Sequence, residues 1–173
     1  IPDRYDEGYG VSKKGIDFAH QTGVKLIIIL DCGIKAIQEI EYAKSLGIDF
    51  IICDHHVPDD VMPPAVAILN PKRPDDPFPF KHLCGCGVGF KFMQAFAKNN
   101  NIPFSRLIPL LDFCAVSIAA DIVPVVDENR ILAFHGLKLL NTNPSIGLKS
   151  IIDICGLNGR ELSMSDIVFK IGP

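Results

Sequence analysis

Val24-Lys25-Leu26-Ile27-Ile28-Ile29-Leu30-Asp31 and Ile48-Asp49-Phe50-Ile51-Ile52-Cys53-Asp54-His55-His56 decide the fold. Each is a short, dense run of apolar and β-branched residues that closes on an aspartate. A continuous run of this length suits a strand buried in a parallel sheet. Between the two, residues 34–46 carry Ile34, Ile37, Ile40, Ala43 and Leu46 at helical spacing and stop at Gly47. Upstream, residues 12–22 read as a helix, with Ser12 as N-cap and Gly23 just beyond the end. The order helix, strand, helix, strand predicts a parallel α/β sheet. Residues 65–69, Ala-Val-Ala-Ile-Leu, read as a third strand.

The texture then changes. Pro71, Pro74, Pro77 and Pro79 make residues 70–82 irregular chain. Beyond them, residues 86–99, 105–120, 127–141 and 163–171 read as helices. No low-complexity tract or fixed-period repeat occurs. The expected fold class is α/β, a parallel sheet with helices on both faces followed by a mainly helical subregion. Residues 1–70 form its α/β part, and residues 71–173 its loop and helical part.

Composition narrows the function. Hydrophobic residues are 48% of the 173, which excludes a disordered chain. The net charge is −3, so charge alone does not grip nucleic acid; a polyanion must meet a metal or a local basic patch. Leu26 to Leu30, the longest strongly apolar run, is too short to span a bilayer. The first residues, Ile-Pro-Asp-Arg-Tyr-Asp-Glu, show no basic n-region and no apolar h-region. A cytoplasmic protein without a membrane partner is expected. Cysteines stand at 32, 53, 84, 86, 114 and 155, and the close pair Cys84-Gly85-Cys86 lacks zinc-ribbon spacing. Reduced thiols are therefore expected. With no initiator Met and an Ile171-Gly172-Pro173 ending, the chain reads as a piece of a longer protein.

Ligands of open α/β sheets bind beyond the carboxyl ends of the strands. Asp31 ends the first strong strand, and Asp54-His55-His56 follows the second. Neighbouring strands lie about 4.8 Å apart, so residues at two such ends can share an ion or a pair of ions. Carboxylate plus imidazole makes a mixed O/N donor set, which suits Mn²⁺, Zn²⁺ or Fe²⁺ better than Mg²⁺ or Ca²⁺. An Asp at a strand end also serves as a helix cap, and for Asp31 both uses stay open. Asp121, in the apolar stretch Ser117-Ile-Ala-Ala-Asp121-Ile-Val-Pro124, needs a partner, a hydrogen bond or a metal. It too can be a helix-terminal cap.

Other features carry plainer readings. Gly85, Gly87 and Gly89 follow no strand and fail the dinucleotide fingerprint, so close helix packing is favoured over phosphate binding. Lys72, Arg73, Lys81, His82 and Lys91 form a local basic cluster that either tracks single-stranded DNA or is a solvated loop. Phe78 and Phe80 read as core anchors rather than base-stacking platforms. His20 and His135 read as surface histidines, and Glu128 and Arg130 as a helix cap and ion pair.

Asp54-His55-His56 resembles the signature of the DHH phosphoesterase superfamily. Leu30-Asp31-Cys32-Gly33 is similar to that family's third motif. Arg4 with Gly8-Tyr9-Gly10 resembles its second motif, in the form found in the RecJ-type branch of single-strand-specific exonucleases. Leu83-Cys-Gly-Cys-Gly-Val-Gly-Phe90, and Ala120-Asp121-Ile-Val-Pro124 with Glu128-Asn129-Arg130, resemble the next blocks in order. Cys53, Cys84 and Cys86 depart from the small residues more usual there, and no ligand position is lost.

The resemblance implies the central part of one phosphoesterase domain. An Asp-x-Asp strand belongs upstream of Ile1 and a glycine-rich phosphate-clamping lobe downstream of Pro173, so the chain by itself is expected to be inactive. It implies hydrolysis of phosphodiester bonds in single-stranded DNA, 5′ to 3′, in repair and recombination, with two Mn²⁺ or Mg²⁺ ions. By position, Asp31 resembles the bridging metal ligand, and His55 and Asp121 ligands to one ion. His56 resembles the imidazole facing the scissile phosphate, with Asp54 orienting the pair and Arg4 holding a substrate phosphate. A single-strand-binding protein and a helicase are the implied protein partners. The alternatives are a phosphodiesterase for short oligonucleotides or cyclic dinucleotides, and an inactive relative serving as a replication scaffold.

Overall fold

The computed structural model describes residue 5 and residues 8–172. The chain divides into two compact units, Ile1–Phe78 and Pro79–Pro173.

In the first unit, α1 (Lys13–Gln21), β1 (Leu26–Leu30), α2 (Ile37–Ser45), β2 (Asp49–Cys53) and β3 (Ala67–Leu69) alternate along the chain. The three strands are parallel in the order β1-β2-β3. The register pairs Leu30 with Cys53 and Cys53 with Leu69, so all three strands end level. Ile16 and Ala19 of α1 and Ile40 and Ala43 of α2 pack with Phe50 and Ile52 of the sheet. Ser12 caps α1, its hydroxyl accepting the Gly15 amide at 3.0 Å.

Helix α2 starts at Ile37, three residues later than its apolar spacing predicts. Ile34 has the right side chain for a helix face and is fully buried. Its amide, however, is taken by a carboxylate, Asp54 Oδ2 at 3.0 Å. Gly33 just before it has φ +101°, a left-handed conformation that turns the chain toward that contact.

The second unit is helical: α3 (Gly85–Asn99), α4 (Leu111–Ala120), α5 (Asp127–Thr142) and α6 (Ile146–Ile154). A helical turn, Met164–Asp166, runs into a π-helical turn, Ile167–Ile171. The helix expected over 105–120 is instead two 3₁₀ turns, Phe104–Arg106 and Ile108–Leu110, followed by α4. Pro109 lacks the amide that an α-helix through this point would use. Helix α6 is a further difference, since the sequence reading places no helix over 146–154. Its entry is held by Asp112, fully buried, whose Oδ2 accepts the Ser145 amide at 2.8 Å. Ala115, Ala119, Leu140, Leu148, Ile152 and Ile167 lie in the core of this unit.

Helices α4 and α5 cross closely because of Gly136. A Cβ there would lie 2.1 Å from the Leu111 carbonyl oxygen and 2.7 Å from Ala115 Cβ. Backbone cannot yield as a flexible side chain does. Gly136→Ala is therefore expected to destabilise the protein by about 1–3 kcal/mol, the usual range for overpacking. A urea titration showing an unchanged midpoint would contradict the close crossing.

Asp166 anchors the last turns. Its Oδ2 accepts the Ser163 amide at 3.0 Å and the Ser163 hydroxyl at 2.8 Å, and Oδ1 accepts Lys170 Nζ at 3.0 Å and the Arg160 guanidinium. The Ser163 amide, then Arg160, the Ser163 hydroxyl and Lys170 hold its carboxyl well below the usual range, against a smaller opposing effect of burial. A depressed carboxyl contributes stability that is full above its unfolded pKa of about 3.9 and is lost as pH falls through the folded value. The stability gap between wild type and Asp166→Asn is thus expected to be constant near neutrality and to shrink below about pH 4. Thermal unfolding of both proteins across that range checks the sign.

Candidate metal centre

The level strand ends build the site. Beyond Leu30, the Asp31 amide donates to the Cys53 carbonyl at 2.9 Å; beyond Cys53, the Asp54 amide donates to the Leu69 carbonyl at 3.0 Å. Each aspartate thus extends the ladder by one bond and is fixed beside its neighbour. Asp31 then turns out of the sheet with φ +65°, a left-handed conformation that Asp tolerates better than most residues.

Asp54 is only 1% exposed and accepts four hydrogen bonds. Oδ2 takes the Ile34 amide at 3.0 Å. Oδ1 takes the His55 amide at 2.7 Å, the His56 amide at 3.2 Å and the His56 ring Nδ1 at 2.7 Å. Burial by itself would raise this carboxyl. The Ile34 amide, the His56 ring and the two histidine amides outweigh it, and the net shift is downward. An ionised carboxylate only accepts, so His56 Nδ1 carries the proton and the ring is oriented by Asp54. The two histidines meet edge to face, with ring centroids 4.7 Å apart.

His55 and His56 face different surroundings: the His55 side chain is 9% exposed and that of His56 is 52% exposed. His55 Nε2 lies 3.1 Å from Asp31 Oδ1. That oxygen is buried, yet no donor is aligned on it, His55 included. A buried acceptor left unmet costs about 1–3 kcal/mol. A cation removes the cost, and the spacing fits one: ligands about 2.1 Å from an octahedral ion sit about 3 Å apart. Asp31, His55 and His56 each offer a ligand atom, all within 4.8 Å of one another. Asp31 and His55 by themselves make a mixed carboxylate and imidazole pair, which suits Mn²⁺, Zn²⁺ or Fe²⁺. A cleft of about 350 Å³ adjoins, lined in part by Tyr9, Gly33, Lys35, Glu39, Asp54 and His56.

Asn70 is a residue that the sequence reading does not single out. It follows β3 as Asp31 follows β1 and Asp54 follows β2, and that position is the available signal. It is fully buried; Nδ2 donates to the His56 carbonyl at 2.8 Å and Oδ1 accepts the Lys72 amide at 2.9 Å. It positions the DHH segment from the backbone side.

The remaining expected residues divide. Asp121 lies in the second unit as the C-cap of α4, its Oδ2 accepting the Ser117 hydroxyl at 3.1 Å. Ile122 follows with φ +52°, strained for a β-branched residue. Arg4 falls outside the described residues. In the basic cluster, Arg73 pairs with Asp75 at 2.5 Å and donates to the Ile68 carbonyl at 2.7 Å. Lys91 pairs with Glu128, so Glu128 has a partner other than the Arg130 expected from the sequence. Phe80 is buried, His20 and His135 are exposed, and a Cβ on Gly87 would press on Cys84 and Leu83, all as expected.

Asp54→Asn keeps the size of the side chain and turns one acceptor into an NH₂ group facing amide donors. The expected loss is about 1–3 kcal/mol for the donors left unmet. Denaturant unfolding measures it, and an unchanged stability would refute the anchoring role.

The geometry agrees with what the chain is similar to. The single-stranded-DNA-specific exonuclease RecJ of Escherichia coli K12 is 37% identical over the whole chain, and that of Bacillus subtilis 168 is 40% identical. The chain spans 32% of the first and 21% of the second. A crystal structure of exonuclease RecJ bound to manganese superposes with TM-score 0.82 at 29% identity, covering 100% of this chain and 43% of that one. The RecJ structure from Thermus thermophilus in complex with Mn²⁺ gives 0.76 at 25% identity, over 93% of this chain and 24% of that one. The profile of the DHH family's N-terminal domain matches residues 1–118, which take in both strand-end aspartates and the paired histidines, and the chain belongs to that family.

Proposed function

We propose that the protein containing this chain hydrolyses phosphodiester bonds of single-stranded DNA from the 5′ end, using two Mn²⁺ or Mg²⁺ ions. The observation that carries the reading is the buried Asp31 Oδ1, without an aligned donor, 3.1 Å from His55 Nε2. The relatives, named as single-stranded-DNA-specific exonucleases, supply the substrate class.

By the resemblance, Asp31 would bridge the two ions, and His55 and Asp121 would be ligands to one of them. When bound, the ions supply Lewis acidity and a water activated at neutral pH. His56 has a different task. Asp54 holds its Nδ1, so Nε2 faces the scissile phosphate. On taking a proton there, His56 donates to a phosphate oxygen as negative charge develops. The Asp54 carboxylate steadies the resulting imidazolium, as the aspartate does in a serine-protease triad. Arg4 holds a further phosphate through its planar fork of donors. A cytoplasmic setting, and a single-strand-binding protein or helicase that presents the strand, complete the proposal.

In the full-length protein, His55→Ala and His56→Ala are both expected to lower turnover severely, for different reasons. His55→Ala weakens Mn²⁺ binding at least about tenfold and is partly rescued by excess metal. His56→Ala lowers kcat by about 10²–10³ with Mn²⁺ affinity unchanged. Titration calorimetry with Mn²⁺, beside turnover of a 5′-labelled single strand, separates them. Equal loss of metal by both variants would make His56 a ligand and overturn this division. Full turnover in a chelator would overturn the metal reading.

A further inference from the structure

We propose that Cys86 and Cys114 form a redox-active dithiol, a site at which a hydroperoxide closes a reversible disulfide between α3 and α4. The two sulfurs are 3.8 Å apart, in contact across two helices. Cys86 lies in the first turn of α3 and is partly accessible; Cys114 lies near the start of α4 and is fully buried.

The surroundings select this pair. Cys84 is the N-cap of α3, its Sγ accepting the Gly87 amide at 3.2 Å, and burial pushes its thiol up to about 11. Burial likewise pushes the Cys53 thiol up to about 11. The Cys32 thiol is raised by burial and by Asp54 and Asp31. Cys155 donates to the Lys170 carbonyl at 3.1 Å. These thiols are occupied or held protonated, and a protonated thiol is a poor nucleophile. Cys86 is reachable and stands at the positive end of a 15-residue helix, with a second sulfur already in contact. Cys114 is fully buried, out of reach of a dissolved oxidant, which makes it the resolving partner rather than the first to react.

The chemistry balances with hydrogen peroxide as oxidant. The Cys86 thiolate attacks one peroxide oxygen; an S–O bond forms, the O–O bond breaks and the departing hydroxide takes a proton to leave as water. The Cys114 sulfur then attacks the Cys86 sulfur; the S–S bond forms, the S–O bond breaks, and the second hydroxide leaves as water with the Cys114 proton. Two thiols lose two electrons and two protons, and the peroxide becomes two waters.

Closure reaches Asp121. The Cys86 amide donates to Ser117 Oγ at 3.4 Å, and that hydroxyl donates to Asp121 Oδ2 at 3.1 Å. Drawing Cys86 toward Cys114 displaces the first turn of α3 and with it the donor to Ser117. This coupling rests on the reading of Asp121 as a metal ligand; the disulfide does not.

The test uses the metal-free full-length protein, treated with a small excess of hydrogen peroxide, alkylated and digested without reduction. The expected result is a Cys86–Cys114 cross-linked peptide, loss of two titratable thiols and their recovery with dithiothreitol. Cys86→Ser abolishes the cross-link. Cys114→Ala, a smaller change in the core, leaves Cys86 to advance to sulfinic acid. Recovery of both cysteines as alkylated thiols, under conditions that oxidise other thiols in the protein, overturns the proposal. After removal of peroxide, Mn²⁺ affinity is expected to be at least threefold lower in the cross-linked protein, and unchanged by the treatment in Cys86→Ser. A cross-link that leaves Mn²⁺ affinity unaltered overturns the coupling to Asp121. Absence of Mn²⁺-dependent nuclease activity in the reduced protein is a separate failure, of the exonuclease reading, and the peptide map is blind to it.

Discussion

Asp54 is a charged carboxylate almost wholly removed from water, and such a group persists only where its lone pairs are met. Four N–H donors meet it here, from three residues on two segments: Ile34 after β1, and His55 and His56 after β2. Each of these bonds is also a positional constraint. The bond to Ile34 withdraws that amide from α2 and sets where the helix begins. The bonds to the two histidine amides curl the chain beyond β2, and the bond to the His56 ring fixes its orientation and its protonated nitrogen. One anion therefore holds the Asp31–Ile34 turn and the DHH segment in a single arrangement.

The sheet supplies the frame in which that anion can act. Parallel pairing with a level register brings Asp31, Asp54 and Asn70 to the carboxyl ends of three adjacent strands. Their tasks differ by what they face. Asp31 projects an oxygen toward a neighbouring imidazole, Asp54 turns inward to anchor both loops, and Asn70 grips the His56 carbonyl. A slip of the register by one residue would turn these side chains to the other face of the sheet. The apolar runs of β1 and β2 thus determine where the polar ends lie.

This division explains what was legible in the sequence. Apolar runs and helical spacing report which side chains need burial, so β1, β2, α1 and the bulk of α3, α4 and α5 could be read from them. An aspartate closing an apolar run is conspicuous, and Asp31 and Asp54-His55-His56 stand out for that reason, although β1 is not the buried strand that its run suggests: it lies at the sheet's edge with Leu26, Ile28 and Leu30 exposed. Hydrogen-bond use is not written in hydropathy. Ile34 has the side chain of a helix residue, and only the position of Asp54 shows that its amide is spent elsewhere. Asn70 differs from an ordinary loop asparagine only in being at a third strand end, buried beneath the DHH segment. Helix α6 depends on a carboxylate 33 residues upstream, Asp112, which lies in the middle of an otherwise apolar run. Glu128 and Arg130 are near in sequence, yet Lys91 of α3 takes Glu128.

The strain at the centre follows from the same arrangement. Asp31 sits at φ +65°, and its Oδ1 is buried with no aligned donor while an imidazole nitrogen stands 3.1 Å away. A lone protein of this size gains nothing in stability from such a pair of features, since a cap or a surface loop would have satisfied the oxygen. On the proposed metal reading, an ion shared by the two side chains makes the arrangement favourable. Any ion held by the folded chain and not by the unfolded one adds RT ln(1 + [ion]/Kd) to stability. That gain offsets the local penalties of about 1–3 kcal/mol once the ion exceeds its dissociation constant roughly tenfold to a hundredfold. Asp54, by contrast, is satisfied without any ion. If the proposed ion binds there, the centre has two layers: an anchor complete in the polypeptide alone, and a pair, Asp31 and His55, whose geometry the ion completes.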